Sequence, residues 1–274
     1  MMESEIVNRD LEQIIIDDYA RYLITERIKL KEAAYEMYTK FSPENLEEYK
    51  NLLSAFIQHQ DENEKGITQA KLKDKQINTL DIGNLLENLV TFIFSKLPIF
   101  KISGKVDTNT NEIDHVIELS FEGKALKGDN LIDMSQNYFI GESKNYNHTI
   151  GVTWVNKLYS LMSSSCTRLG LIFSYHGLTG SDSCGGWQNA KGFTKKILLS
   201  SLGSLGPGAD RSSGTYIIDF NFKHFKELAE GKSIIEIIEH EQKLMVLDVR
   251  GDYNSSEVHD RQSEIKEIIT SVCS

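Results

Sequence analysis

The stretch Tyr138-Phe139-Ile140-Gly141-Glu142-Ser143-Lys144 decides how this chain is read. Side chains along a strand alternate between two faces, so Glu142 and Lys144 share one face while Ser143 points away. Upstream, Glu112-Ile113-Asp114-His115-Val116-Ile117-Glu118 alternates in the same way. It sets Glu112, Asp114 and Glu118 on one side and Ile113, Ile117 and Leu119 on the other. If the two strands are neighbours, Asp114, Glu142 and Lys144 meet at one end of a sheet. Two carboxylates are hard oxygen donors suited to Mg²⁺, and an ammonium beside them orients or polarises an attacking water, which is the equipment of phosphodiester hydrolysis. His115 falls on the face opposite Asp114 and reads as packed or solvent-exposed, not as a ligand.

Working outward, Thr79–Lys96 carries Leu85, Leu86, Leu89, Val90, Ile93 and Phe94 at helical spacing, with one carboxylate, Glu87, in its middle. The β-rich runs Ile99–Ile102, Glu112–Phe121 and Gln136–Ser143 follow it. A helix over Val152–Ser164, a short apolar strand over Leu169–Ser174, a helix over Trp187–Leu199 and a strand over Tyr216–Phe220 come next. Helices fill most of Lys223–His240 and of Glu257–Ser271. Helix, three strands, helix, strand, helix is an α/β order, with a mixed sheet between helices.

The N-terminal part has a different texture. Leu11, Ile14, Ile15, Tyr19, Tyr22 and Leu23, and again Tyr35, Tyr38 and Phe41, recur at helical spacing. Ser42-Pro43-Glu44-Asn45 is a helix start with Ser42 as N-cap. The polar run Gln58–Lys65 places the boundary between Glu64 and Asp81. The expected organisation is a helical region over 1–75 for recognition, dimerisation or partner binding, a core over 76–250 and a helical tail over 251–274.

Composition bounds the function classes. Of 274 residues, 40% are apolar and 26% charged, enough to bury a core and too apolar for a disordered chain. Three cysteines (Cys166, Cys184, Cys273) have neither disulfide-framework nor zinc-ribbon spacing. With no basic-then-apolar leader and no membrane-length apolar run, a cytoplasmic protein is expected. Gly203, Gly206 and Gly208 precede no Gly-Lys-Ser/Thr, so a nucleotide P-loop is not expected. Trp154 and Trp187 read as core anchors, and His148 and His176 fall in loops beside the site.

The ordered set Gly83-x-x-x-Glu87, Asn111-Glu112-Ile113-Asp114, Gly141-Glu142-Ser143-Lys144-Asn145-Tyr146 and Gly170-Leu171-Ile172-Phe173-Ser174 resembles the PD-(D/E)xK nuclease superfamily, in particular its restriction-endonuclease-like branch with Mrr-type catalytic domains. The resemblance covers roughly residues 80 to 245. It implies a restriction-endonuclease-like core in which Asp114 and Glu142 hold Mg²⁺ (Mn²⁺ substituting), Lys144 assists the water and Glu87 on the preceding helix joins the site. The Ser143 carbonyl is expected as a further metal ligand. Ile113 stands where the family's nominal Pro would be. The resemblance further implies a DNA-cutting endonuclease of restriction or host-defence type, acting as a homodimer. The alternatives are a nuclease acting on RNA, single-stranded DNA or a repair intermediate, and a catalytically idle fold that binds nucleic acid or assembles with a partner.

The formal net charge of -10 argues at first against a nucleic-acid partner. Residues 141–211, however, hold seven bases against three acids (+4), while the rest of the chain sums to -14. Asn145, Tyr146, Ser174, Thr179, Lys191, Lys195 and Lys196 are therefore the expected nucleic-acid contacts, through cationic groups, hydroxyls and a helix N-terminus.

Overall fold

The computed structural model describes residues 2–64, 79–107, 112–180, 189–204 and 213–250. Ser42 accepts the Asn45 amide at 3.2 Å, ending the first helix, α1 (Met2–Thr39), and starting α2 (Pro43–Glu64). Then come α3 (Thr79–Lys96), β1 (Phe100–Ser103), β2 (Val106–Asp107), β3 (Glu112–Ile113), β4 (His115–Leu119), α4 (Phe121–Gly128), β5 (Tyr138–Lys144), α5 (Val152–Ser164), β6 (Leu169–Ser174), α6 (Ala190–Ser204), β7 (Tyr216–Phe220), α7 (Phe222–Ala229) and α8 (Ile234–Arg250).

The protein is α/β. A five-stranded sheet has the order β1-β4-β5-β6-β7. The pairs β1–β4 and β4–β5 are antiparallel, while β5–β6 and β6–β7 are parallel. The mixed character follows from the connections. The parallel pair β5–β6 is joined through α5 and β6–β7 through α6, as parallel neighbours require crossovers. Every residue of β6 is buried, the expected state of a parallel strand covered on both faces.

Alternation divides the core. Ile117, Phe139, Leu171, Phe173 and Ile218 face α3 and the helices of both ends of the chain. Ile140, Ile172 and Ile217 face α5 and α6. Gly141 is required by close approach, because a Cβ there would meet the Phe173 ring at 2.7 Å. The helical N-terminal region is not a detached appendage. Tyr49, Leu53 and Phe56 of α2 lie in the first core, Tyr49 Oη donates to the Phe225 carbonyl at 2.9 Å, and the Phe56 ring packs edge-on against Tyr175 and Phe225.

Two expectations are corrected. The strand expected over Glu112–Phe121 breaks at Asp114, so β3 pairs with β2 in a separate two-stranded sheet and only β4 joins the main one. Because the bend resets the alternation, Ile113 packs with the α5 side rather than beside Ile117 and Leu119. The run also stops at Leu119, not Phe121. Ser120 caps α4 by accepting the Gly123 amide at 3.1 Å, a local hydrogen bond that overrides the β-rich composition around it. Trp187, Gly206, Gly208 and the expected helix over Glu257–Ser271 lie outside the described residues. No described helix is long and apolar enough to cross a membrane.

Since Phe56 is fully buried, Phe56→Ala should destabilise the whole domain by about 3–5 kcal/mol. Leu52→Ala on the exposed side of α2 should change stability by less than about 1 kcal/mol. Urea denaturation of both variants measures the difference. Near-equal midpoints would show that α2 is not part of the cooperative unit.

Candidate active site

The site begins with a missing backbone partner. β4 pairs with β5 as far as His115 opposite Gly141, and continued register would put Ile113 opposite Ser143. The chain instead bends at Asp114, and Ile113 goes to β2. A buried amide left without an acceptor costs about 1–3 kcal/mol. Asp114 Oδ2 supplies the acceptor, taking the Ser143 N–H at 2.9 Å. β5 meanwhile continues alongside β6 to Lys144 opposite Ser174, so its last residues protrude past β4.

Glu142 and Lys144 project from this protruding end toward α5. The Lys144 ammonium lies 2.7 Å from Glu142 Oε1, 3.3 Å from Asp114 Oδ2 and 2.9 Å from the Ser143 carbonyl. Its pKa is set by opposing causes. Burial pulls it down, and the Glu142 and Asp114 carboxylates outweigh burial and hold it above the ordinary lysine value. The Glu142 side chain is fully buried. Its Oε1 also takes the Lys157 ammonium at 2.7 Å, while its Oε2 is buried with no hydrogen-bond partner. The Trp154 ring stands against both cations, 4.4 Å from Lys144 Nζ and 5.3 Å from Lys157 Nζ, a cation–π arrangement that shields them from water.

His115 lies behind the sheet as the alternation expects. It is buried against Phe173, and its Nε2 is 2.8 Å from Ser143 Oγ. Burial lowers its pKa to about 4, although Asp114 pulls the other way, so it is neutral and serves as packing.

The remaining expected residues divide. Glu87 pairs with Lys105 at 3.4 Å, which also reaches Glu112 at 3.7 Å. Glu87 reaches the neighbourhood of Asp114 through Lys105, whose raised pKa has Glu87 as its main cause and the Asp114 carboxylate among the others. Asn145 accepts from Gln60 Nε2 of α2, which ties the N-terminal helices to the residue after Lys144. Tyr146 stacks on His148 at 5.2 Å and tilts against Trp154 at 6.0 Å. Ser174 is buried and accepts the Gly177 amide at 3.0 Å, holding the turn after β6 where Gly177 has φ +72°. Thr179 accepts the Ala190 amide at 3.1 Å and so caps α6. Lys191 and Lys195 line a separate cavity of about 400 Å³ with Asp219 and Glu241, and Lys196 is half-buried on α6.

Lys157, one of the seven bases counted in residues 141–211, pairs with Glu142, and Gln60 reaches Asn145 without having been singled out from sequence. For Lys157 the signal was present. Trp154 and Lys157 are three residues apart on α5 and therefore share a face, and Val155, Leu158, Leu161 and Met162 mark the side that packs on the sheet. Gln60 carries no such signal, since its contact joins segments 85 residues apart.

Two carboxylates and a carbonyl converging on one ammonium form an all-oxygen donor set. That set and the unpartnered Glu142 Oε2 fit a hard divalent cation such as Mg²⁺. Among the described residues no group of three or more His, Cys, Asp or Glu side chains is arranged to hold a metal. The fit therefore rests on Asp114, Glu142 and the Ser143 carbonyl. A scan of protein-family models, a search of curated proteins and a search of solved structures each returned no match.

Lys157 anchors a buried carboxylate from a half-buried position, so Lys157→Met should lower stability by about 1–2 kcal/mol, the cost of removing one charged hydrogen bond. Chemical denaturation reads this directly. A loss below about 0.3 kcal/mol would mean that Lys144 alone satisfies Glu142.

Proposed function

We propose that the protein is a metal-dependent nuclease that hydrolyses DNA phosphodiester bonds with a PD-(D/E)xK-type site. The observation that carries this reading is the convergence of Asp114, Glu142, the Ser143 carbonyl and Lys144 at the protruding end of β5. Further support comes from the main-sheet order, helix α3, strands β1, β4 and β5, helix α5, strand β6, with the pair β2–β3 and helix α4 interposed, which is compatible with the core implied by the resemblance.

On this reading Asp114, Glu142 and the Ser143 carbonyl hold the cation. When bound, it supplies an activated water and polarises the phosphoryl oxygens. Lys144, positioned by both carboxylates and by the Trp154 face, would donate hydrogen bonds to the attacking water and to a non-bridging phosphoryl oxygen, favouring in-line attack on phosphorus with departure of the opposite ester oxygen. Lys157 keeps Glu142 oriented from the helix side. Asp114 has two roles on this reading, since its Oδ2 takes the Ser143 amide and its carboxylate would also help to hold the cation.

One observation favours a second reading, a catalytically idle fold that only binds nucleic acid. Both carboxylates already have ammonium partners, Glu142 two of them. The readings separate in a cleavage assay. The nuclease should cut DNA with Mg²⁺ or Mn²⁺ and stop with EDTA, and Lys144→Ala should lose about 10²-fold or more in kcat, the scale of a positioned proton-transfer or oxyanion-stabilising group. Equal cutting by Lys144→Ala would sink the mechanism, and DNA binding without cleavage by the wild type would establish the idle fold.

Metal holding has its own readout. Ligands that bind only the folded state stabilise it by RT ln(1 + [L]/Kd), so saturating Mg²⁺ should raise the melting temperature of the wild type. Asp114→Asn should abolish that rise. An unchanged Mg²⁺ response in Asp114→Asn would remove Asp114 from the ligand set.

A further inference from the structure

We infer that the substrate of this site is an unpaired strand, whose base next to the scissile phosphate stacks on the ring pair formed by Tyr146 and His148. The inference rests on the nuclease reading above and adds the substrate class.

Rings lead outward from the catalytic cations in measured steps. The Trp154 centroid is 4.4 Å from Lys144 Nζ, the Tyr146 centroid is 6.0 Å from that of Trp154, and the His148 centroid is 5.2 Å from that of Tyr146 with the two planes 23° apart. Trp154 and Tyr146 have packing roles, since both are partly buried against the core beneath α5. His148 has none. It is exposed, yet its ring is fixed near-parallel to Tyr146, with Nδ1 placed 2.9 Å from the Thr149 carbonyl. An exposed aromatic ring held in one orientation is pre-organised to receive another flat ring, and less ordering entropy is lost when it does.

Duplex DNA has little use for such a surface, because each base already stacks on its neighbours and spends its edge on its partner. An unpaired base presents a free π-face. Aromatic stacking of this kind is worth about five- to 150-fold in affinity per base and tolerates any sequence. Charge favours the same choice. The stretch that carries the site is only +4 on a chain otherwise at -14, a weak hold on a duplex backbone, whose binding is dominated by phosphate neutralisation. Stacking supplies affinity that does not depend on charge.

The test compares cleavage of a DNA duplex, the same duplex with a single-stranded overhang, and the single strand alone as DNA and as RNA, all with Mg²⁺. The single strand or the overhang should be cut at least tenfold more efficiently than the blunt duplex. His148→Ala should raise KM for the single strand about tenfold with kcat little changed, and His148→Trp should restore the wild-type KM. Preference for RNA over DNA would keep the stacking inference and change only the sugar. A blunt duplex cut as well as the single strand, or a KM indifferent to His148→Ala, would overturn the inference and leave the nuclease reading standing. Cleavage of none of these substrates would remove the nuclease reading and the inference together.

Discussion

The hydrogen bond from the Ser143 amide to Asp114 Oδ2 organises this molecule's candidate site. It exists because β4 leaves β5 one step too early for the backbone ladder to continue. A main-chain carbonyl would have satisfied the amide equally well, but it would have brought no charge. Using a carboxylate instead places a negative side chain at the end of the sheet and turns the Ser143 carbonyl toward Lys144. It also leaves β5 protruding, so that Glu142 and Lys144 are not covered by the neighbouring strand. The fold need and the chemical arrangement are met by the same bend.

The bend creates an electrostatic obligation. A carboxylate as buried as Glu142 is tolerated only when paired, and the two ammonium groups at 2.7 Å provide that pairing. Packing hydrophobic groups in their place would serve stability as well or better. The retention of two lysines, two carboxylates and an unpartnered Glu142 oxygen in one small volume is therefore poorly explained by folding alone. Strained or under-satisfied polar clusters are where function departs from the most stable arrangement.

Sequence periodicity revealed the layers and the order of the elements, because both cores are built from ordinary alternation. The trio Asp114, Glu142 and Lys144 was legible for the same reason. What periodicity could not reveal was the bend. Ile113 continues the alternating pattern in sequence but crosses to the other core in space, and only the competition between β2 and β5 for the same residues decides that. Gln60 was invisible because its value lies in a long-range contact with Asn145. Ser174 and Thr179 were expected to meet nucleic acid; what the sequence did not show is that their hydroxyls also hold the turn after β6 and the start of α6. Glu87 shows the limit for charges. Sequence placed a carboxylate in the middle of an apolar helix but did not show its partner, Lys105, which also feels the Glu112 and Asp114 charges.

Net charge also changes meaning with scale. At physiological salt, exposed charges farther apart than about 8 Å are largely screened, so the total of -10 says little about what a phosphate meets at β5. The local set is two carboxylates against two ammonium groups, which cancel. On the proposed reading such a site has little net pull on a phosphodiester until a further cation is held by Asp114 and Glu142, and the phosphate in turn offsets that cation's excess charge. Metal and substrate should therefore bind cooperatively, each raising the affinity for the other by the same factor, as linkage requires. A basic chain would hold nucleic acid without the metal. On the proposed reading, the cancelled charge of the local set makes loading of the site the condition for a strong electrostatic hold on the scissile phosphate.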